Sequence, residues 1–395
     1  MIGSDVAGGS IDAPERDSRP GQILWLFVAI KVGLFGTALL AYQLLPFDTY
    51  LYNVNLVWPL RNLPAVFEAF NTWDTQHYLL LSQQGYGTNP MSNAFYPLYP
   101  LLIWLCTPLF FGHELIAALV IANLVSLAVP LYMYRLGTLF LSKEQSYAGT
   151  LLLLAFPTAF YLSAAYTESL FLLFSIAAFY HLFRGEVARA SVFCFLLPLV
   201  RAQALLFILP LAVMFVQAAL AKPGPKAGLR YALRSFLPPA MAAALGICAY
   251  LLFSRIALGS FFAGIDAQRL FIADNSIANV FALDRWFVRN FVDVDFALHG
   301  YTNSIVDRVA FALCLPLLFW VYRTQERALF VFALLTLLVP ALAGSFMSYT
   351  RFLLAVFPLF MVGGALLKHP ERLAVVMFAL QILLFALHAT GRWVA

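Results

Sequence analysis

Residues 70–100 read FNTWDTQHYLLLSQQGYGTNPMSNAFYPLYP, the densest run of polar and aromatic side chains in a chain that is otherwise strongly apolar. A helix over Asn71–Gln84 places Asp74, His77, Tyr78 and Leu81 on one face at i, i+3, i+4 and i+7. A carboxylate and an imidazole one turn apart have the makings of an acid/base pair. The same pattern also describes an amphipathic helix on a membrane surface, with Trp and Tyr anchors at headgroup depth. The end of the run decides the fold. Phe95–Phe111 is apolar enough for a membrane span, yet it carries Pro97, Pro100 and Pro108, which break or kink a helix.

The surrounding composition is that of an integral membrane protein. Hydrophobic residues make up 63% of the 395 and charged residues 11%, against about 25% charge in a soluble domain. The apolar runs are near the length of membrane helices and exceed that of barrel strands. The net charge of +5 is therefore no argument for a nucleic-acid partner; membrane lipids are the expected surroundings. Cys106, Cys194, Cys248 and Cys314 all lie in apolar runs without metal-ligand spacing and read as small hydrophobes. Residues 1–22 read as a disordered cytoplasmic tail, and 23–395 as a single transmembrane domain.

Charge distribution sets the topology. Beginning with Ile23–Leu45, the apolar runs include Ala148–Ala164, Ser191–Val200, Phe236–Ser254, Phe352–Leu367 and Leu373–Ala389. Alternate linkers between the runs hold 12 basic residues against four acids, including the basic linker Ala221–Ser235, and the positive-inside rule assigns them to the cytoplasm. With a cytoplasmic N-terminus this works only if Phe95–Phe111 does not cross. The expectation is thus an interfacial or re-entrant helix there, about 11 transmembrane helices, and two large extracytoplasmic loops, 46–114 and 255–304.

Ionisable groups at membrane depth are costly and call for a reason. Glu168, in SAAYTESLF, suits either a helix N-terminus capped by Thr167 or a pocket wall opposite Asp74. Arg201 and Arg351 lie at the same outer boundary; arginine recognises phosphate with two donors, while snorkelling is the alternative. The segment Gly259–Phe271 offers Asp266, Gln268 and Arg269 beside aromatic residues. Asp293-Val294-Asp295 has the DxD form associated with metal and nucleotide sugar, a short pattern that arises readily by chance. No metal site is assigned, and a divalent cation (Mg or Mn) stays open as a cofactor.

The stretch WDTQHYLLLSQQGYG…NAFYPLYPLL resembles the first-loop signature of the PIG-V-type mannosyltransferases, a family that includes the second mannosyltransferase of glycosylphosphatidylinositol assembly and bacterial relatives. SAAYTESLFLL, LVRAQALLF and YTRFLLAVFPLF follow in the family's order, and GSFFAGIDAQ is similar to a segment of the bacterial members. Two departures stand out: Thr72 where relatives have Arg or Asn, and Arg201-Ala202-Gln203-Ala204 where they have Arg-x-Asn-Gly. The resemblance implies an all-α, polytopic GT-C glycosyltransferase fold with interfacial helices in the first outer loop. It implies inverting transfer of a hexose, mannose first, from a polyprenyl-phosphate-sugar donor to a lipid or glycan acceptor. Asp74 would be the general base, with His77 as its catalytic companion. Trp73, Tyr96, Tyr166, Glu168, Arg201, Gln268 and Arg351 would bind substrate. The expected location is the bacterial inner membrane, with the site on the extracytoplasmic face. The alternative from another class is a transporter or flippase for lipid-linked saccharides, which calls for repeated halves with broken helices at the midplane; the concentration of polar residues at one face favours the enzyme.

Overall fold

The computed structural model describes residues 17–222 and 224–394; most of the expected N-terminal tail, residues 1–16, lies outside them. The first helix, Arg19–Leu44, begins four residues before the expected span because Pro20 pre-sets its first turn and Arg19 is held by Asp17 and Glu144. Among the described residues the architecture is all-helical, without a named strand. Among the described residues six helices are long and apolar enough to cross a membrane: Arg19–Leu44, Glu114–Gly137, Ala202–Leu220, Pro225–Leu258, Ile305–Thr324 and Pro370–Ala389. Four shorter apolar helices pack among them: Glu168–Phe183, Val187–Leu199, Arg327–Leu342 and Phe357–Leu366. With Lys143–Ala155, these helices occupy the positions of the eleven expected transmembrane spans, of which six have the length to cross.

Several boundaries move. The run Ala148–Ala164 is helical only to Ala155, since Pro157 ends it and a 3-10 turn, Ala159–Leu162, follows. The basic linker expected over Ala221–Ser235 is helical from Pro225 onward and continues to Leu258, 34 residues or about 51 Å. The run Phe352–Leu367 is split into a short helix, Tyr349–Leu353, and Phe357–Leu366, broken ahead of Pro358.

The proline-rich run behaves as a short element. Leu98–Cys106 is α-helical and Thr107–Phe110 is 3-10, 13 residues in all. That is about 20 Å, short of the roughly 30 Å hydrocarbon core. Phe111 in the left-handed region and Gly112 at φ +85° then turn the chain into the helix Glu114–Gly137.

The bundle has one large core and one smaller one. In the large core, Glu114–Gly137 packs on Glu168–Phe183, and Lys143–Ala155 lies between Phe357–Leu366 and Pro370–Ala389. The smaller core gathers Phe311, Leu337, Phe346 and Tyr349 around the segment leading to Arg351. Trp58, Asn71 and Gln76 lock the first long loop onto the bundle. Asn71 Nδ2 donates to Trp58 O, Trp58 N to Gln76 Oε1, and Trp58 Nε1 to Glu114 Oε1, each within 2.8 Å.

Candidate active site

The expected helix Asn71–Gln84 starts at Asp74 instead, because Trp73 takes a left-handed φ of +53° and breaks the chain direction there. A bulky residue seldom adopts that conformation, which costs energy unless its neighbours fix it. Here one hydroxyl does so. Tyr166 Oη donates to Thr72 O at 3.3 Å and accepts from Asp74 N–H at 3.2 Å, holding the peptide groups on both sides of Trp73. Thr72 Oγ1 is in turn hydrogen-bonded to His388 Nε2 at 2.9 Å. Trp73 is enclosed by Trp393 and Tyr301, with ring centroids 4.9 and 6.0 Å away, and its indole N–H donates to Arg392 O at 3.2 Å.

That turn aims the Asp74 carboxylate at Arg351, which links it to two further charges from distant parts of the chain. Arg351 Nη1 donates to Asp74 Oδ2 at 2.6 Å, and Arg351 Nε donates to Glu168 Oε1 at 2.5 Å. Arg201 also donates to Glu168 Oε1. The Arg351 guanidinium lies against the rings of Tyr166 and Tyr161, 4.5 and 4.9 Å from their centroids, where cation–π attraction adds to its two ion pairs. The side chains of Glu168 and Arg351 are about as buried as a core residue, at 5% and 6% exposure, whereas Asp74 keeps 20%. Two carboxylates and two guanidinium groups therefore form one nearly buried network, open at Asp74.

The other residues singled out from the sequence sit elsewhere. His77 is fully buried and turned toward Ser92 Oγ, 2.7 Å from its Nδ1, and its ring stacks on Phe95. Burial pushes its pKa down to about 4, partly opposed by the Asp74 charge. At this i, i+3 spacing His77 meets Ser92 while Asp74 meets Arg351. Tyr96 stacks on Tyr250 at 4.1 Å, and Gln268 Nε2 donates to Ala94 O at 2.9 Å. Gln268, together with Phe271 against His77 and Phe95, docks the second large loop onto residues 92–96, while Tyr96 packs on the helix Pro225–Leu258. Asp293 and Asp295 are exposed, and among the described residues no three His, Cys, Asp or Glu side chains form a metal ligand set. Both carboxylates of the central network face guanidinium groups.

Three contributors were not foreseen. His388, on the last helix, is a lone imidazole inside an apolar run, a signal that an intramembrane ionisable group offers on its own. Asp307, also buried, accepts the Thr350 N–H at 2.8 Å and so fixes the residue before Arg351. The third is Lys31, buried within the first helix. Its Nζ donates to Asn123 Oδ1 and Leu162 O at 2.8 Å and to Ser163 Oγ at 3.1 Å, tying down the turn between Tyr161 and Tyr166.

Residues 60–256 match the family described as mannosyltransferase (PIG-V). A curated relative, GPI alpha-1,6-mannosyltransferase 2 of Rattus norvegicus, is 26% identical over 132 residues, 31% of this chain and 27% of the relative; the match thus spans about a quarter of that protein. Among solved structures, the Archaeoglobus fulgidus oligosaccharyltransferase tethered with an acceptor peptide is similar at a TM-score of 0.46 and 14% identity, over 95% of this chain and 55% of that one. The same archaeal enzyme, in complex with an inhibitory peptide and a dolichol-phosphate, gives 0.48 and 14%, over 94% and 55%. The family match takes in Asp74, Glu168 and Arg201, three of the four charges in the buried network, and by it the chain belongs to the PIG-V mannosyltransferase family.

Proposed function

We propose that this protein is a GT-C-type membrane glycosyltransferase that moves a hexose from a polyprenyl-phosphate donor to a lipid-linked or glycan acceptor at the non-cytoplasmic face of a bacterial inner membrane. Mannose is the sugar favoured by the family match and by the name of the rat relative. The observation that carries the reading is Asp74 itself. It is the most exposed carboxylate of a buried network, its position is fixed by the Thr72–Asp74 turn, and Arg351 orients it. In an inverting transfer one base suffices: Asp74 takes the acceptor hydroxyl proton as that oxygen attacks the anomeric carbon. The guanidinium groups of Arg351 and Arg201 would supply the positive charge that the departing phosphate needs.

The test is sugar transfer by purified protein in nanodiscs supplied with polyprenyl-phosphate mannose and a membrane-lipid extract. A general base contributes about 10²–10⁴-fold, so Asp74→Asn should lower turnover by at least about 100-fold while the protein stays folded. Equal turnover in both proteins would remove Asp74 from that role.

A further inference from the structure

Arg351 has two carboxylate partners in different settings. Its Nε is fixed to Glu168, which is buried at the first turn of its helix, and its plane is held by Tyr161 and Tyr166. Its Nη1 reaches Asp74, the partner nearest the open side of the network. One edge of the guanidinium is anchored, and the other is bound to the group that changes charge in the proposed reaction. The remainder of this inference rests on that reading.

In the transfer step the acceptor O–H bond breaks and its proton goes to Asp74. The acceptor oxygen forms a bond to the anomeric carbon, and the carbon–oxygen bond to phosphate breaks with its electron pair left on the phosphate oxygen. One negative charge disappears at Asp74 and one appears on the phosphate. We infer that Arg351 is a shared counter-ion, anchored through Nε on Glu168, whose Nη1 passes from Asp74 to a lipid phosphate monoester when Asp74 is neutralised. The exchange keeps the buried positive charge paired throughout, which matters because an unpaired charge in this setting is costly. It also gives a route for product release. When Asp74 loses its proton it competes again for Nη1 and weakens the hold on the monoester. Glu168 Oε2, buried without a hydrogen-bond partner among the described residues, leaves a second acceptor beside Arg351, so the arginine can pivot without losing Glu168.

Linkage makes this testable without turnover, because two sites that compete for one group must affect each other's occupancy equally. The full-length protein in phosphatidylcholine nanodiscs would be titrated with farnesyl phosphate, a short polyprenyl monophosphate, and in separate arms with inorganic phosphate and uncharged farnesol. Asp74→Asn, which mimics the neutral base, should bind farnesyl phosphate at least tenfold more tightly than wild type. Asp74→Asn/Arg351→Gln should lose that gain, and farnesol should bind all three proteins alike. Asp74→Ala provides a second neutral variant, and thermal unfolding checks that each protein is folded. Binding to the neutral variants no tighter than wild type would overturn the inference, as would a gain that survives loss of Arg351. A gain shown by inorganic phosphate and not by farnesyl phosphate would overturn the assignment to a lipid phosphate. Normal sugar transfer together with no gain would leave the proposed function standing and remove only the charge exchange. A gain in a protein that transfers no sugar would keep the exchange and remove the reaction.

Discussion

At the scale of single residues, Tyr166 shows how the geometry of the candidate active site is held by one atom. Its hydroxyl both donates and accepts across Trp73, so the strained φ that aims Asp74 is supported by a hydrogen bond on each side. His77, three residues on, illustrates how burial overrides spacing. Its imidazole resists protonation until about pH 4, whereas in the unfolded chain it titrates near about 6.5. Between those values the unfolded state binds the proton and the folded state does not, so stability falls as pH drops through that window. The full difference amounts to about 3 kcal/mol. Replacing the titrating group, as in His77→Gln, should flatten this part of the curve, as measured by unfolding in detergent at pH 7, 6, 5 and 4. Identical slopes for variant and wild type would show that His77 is not the group responsible.

Close helix packing sets the element scale. Lys143–Ala155 and Phe357–Leu366 approach so tightly that a Cβ on Gly364 would lie 2.4 Å from both Gln145 O and Gly149 N, and one on Gly149 would lie 2.8 Å from Phe360 O. These are backbone atoms and cannot swing aside. Phe357–Leu366 follows directly on the turn that carries Arg351, so a shift here reaches the charged network. Gly364→Val should destabilise the protein by about 1–3 kcal/mol, the usual cost of overpacking, and should lower the unfolding temperature and sugar transfer together. An unchanged unfolding temperature would show that the two helices do not meet this closely. Elements also differ in how far the sequence announced them. The proline-rich run was legible as a short, non-crossing piece because proline acts locally. The basic stretch before Phe236 looked like a linker because its charges hid a helix that continues a membrane segment.

For the whole molecule, orientation is the property with the widest consequences. The charge pattern puts residues 85–93 outside and the loop before Pro225 inside. In a protein whose four cysteines are replaced by alanine, Thr88→Cys should react with a membrane-impermeant maleimide in intact cells. Lys226→Cys should react only after permeabilisation. Labelling of both from one side would overturn the count of crossings, and the reverse pattern would overturn the orientation.

By itself the sequence determined the class: an all-helical membrane protein, its polar chemistry gathered at one end, with Asp74, Glu168, Arg201 and Arg351 each marked as a charge at the edge of an apolar run. Composition and short-range pattern suffice for that, because a bilayer penalises every exposed backbone group and nearly every charge. Only the tertiary structure decided that these four form one network, that His77 and Gln268 meet the second large loop while Tyr96 packs on the helix Pro225–Leu258, and that His388, Asp307 and Lys31 hold the segments around the network. Ion pairing and burial depend on which side chains meet across 33 to 316 positions of chain, as between Glu168 and Arg201 or Thr72 and His388, and helix packing sets those meetings where local spacing does not.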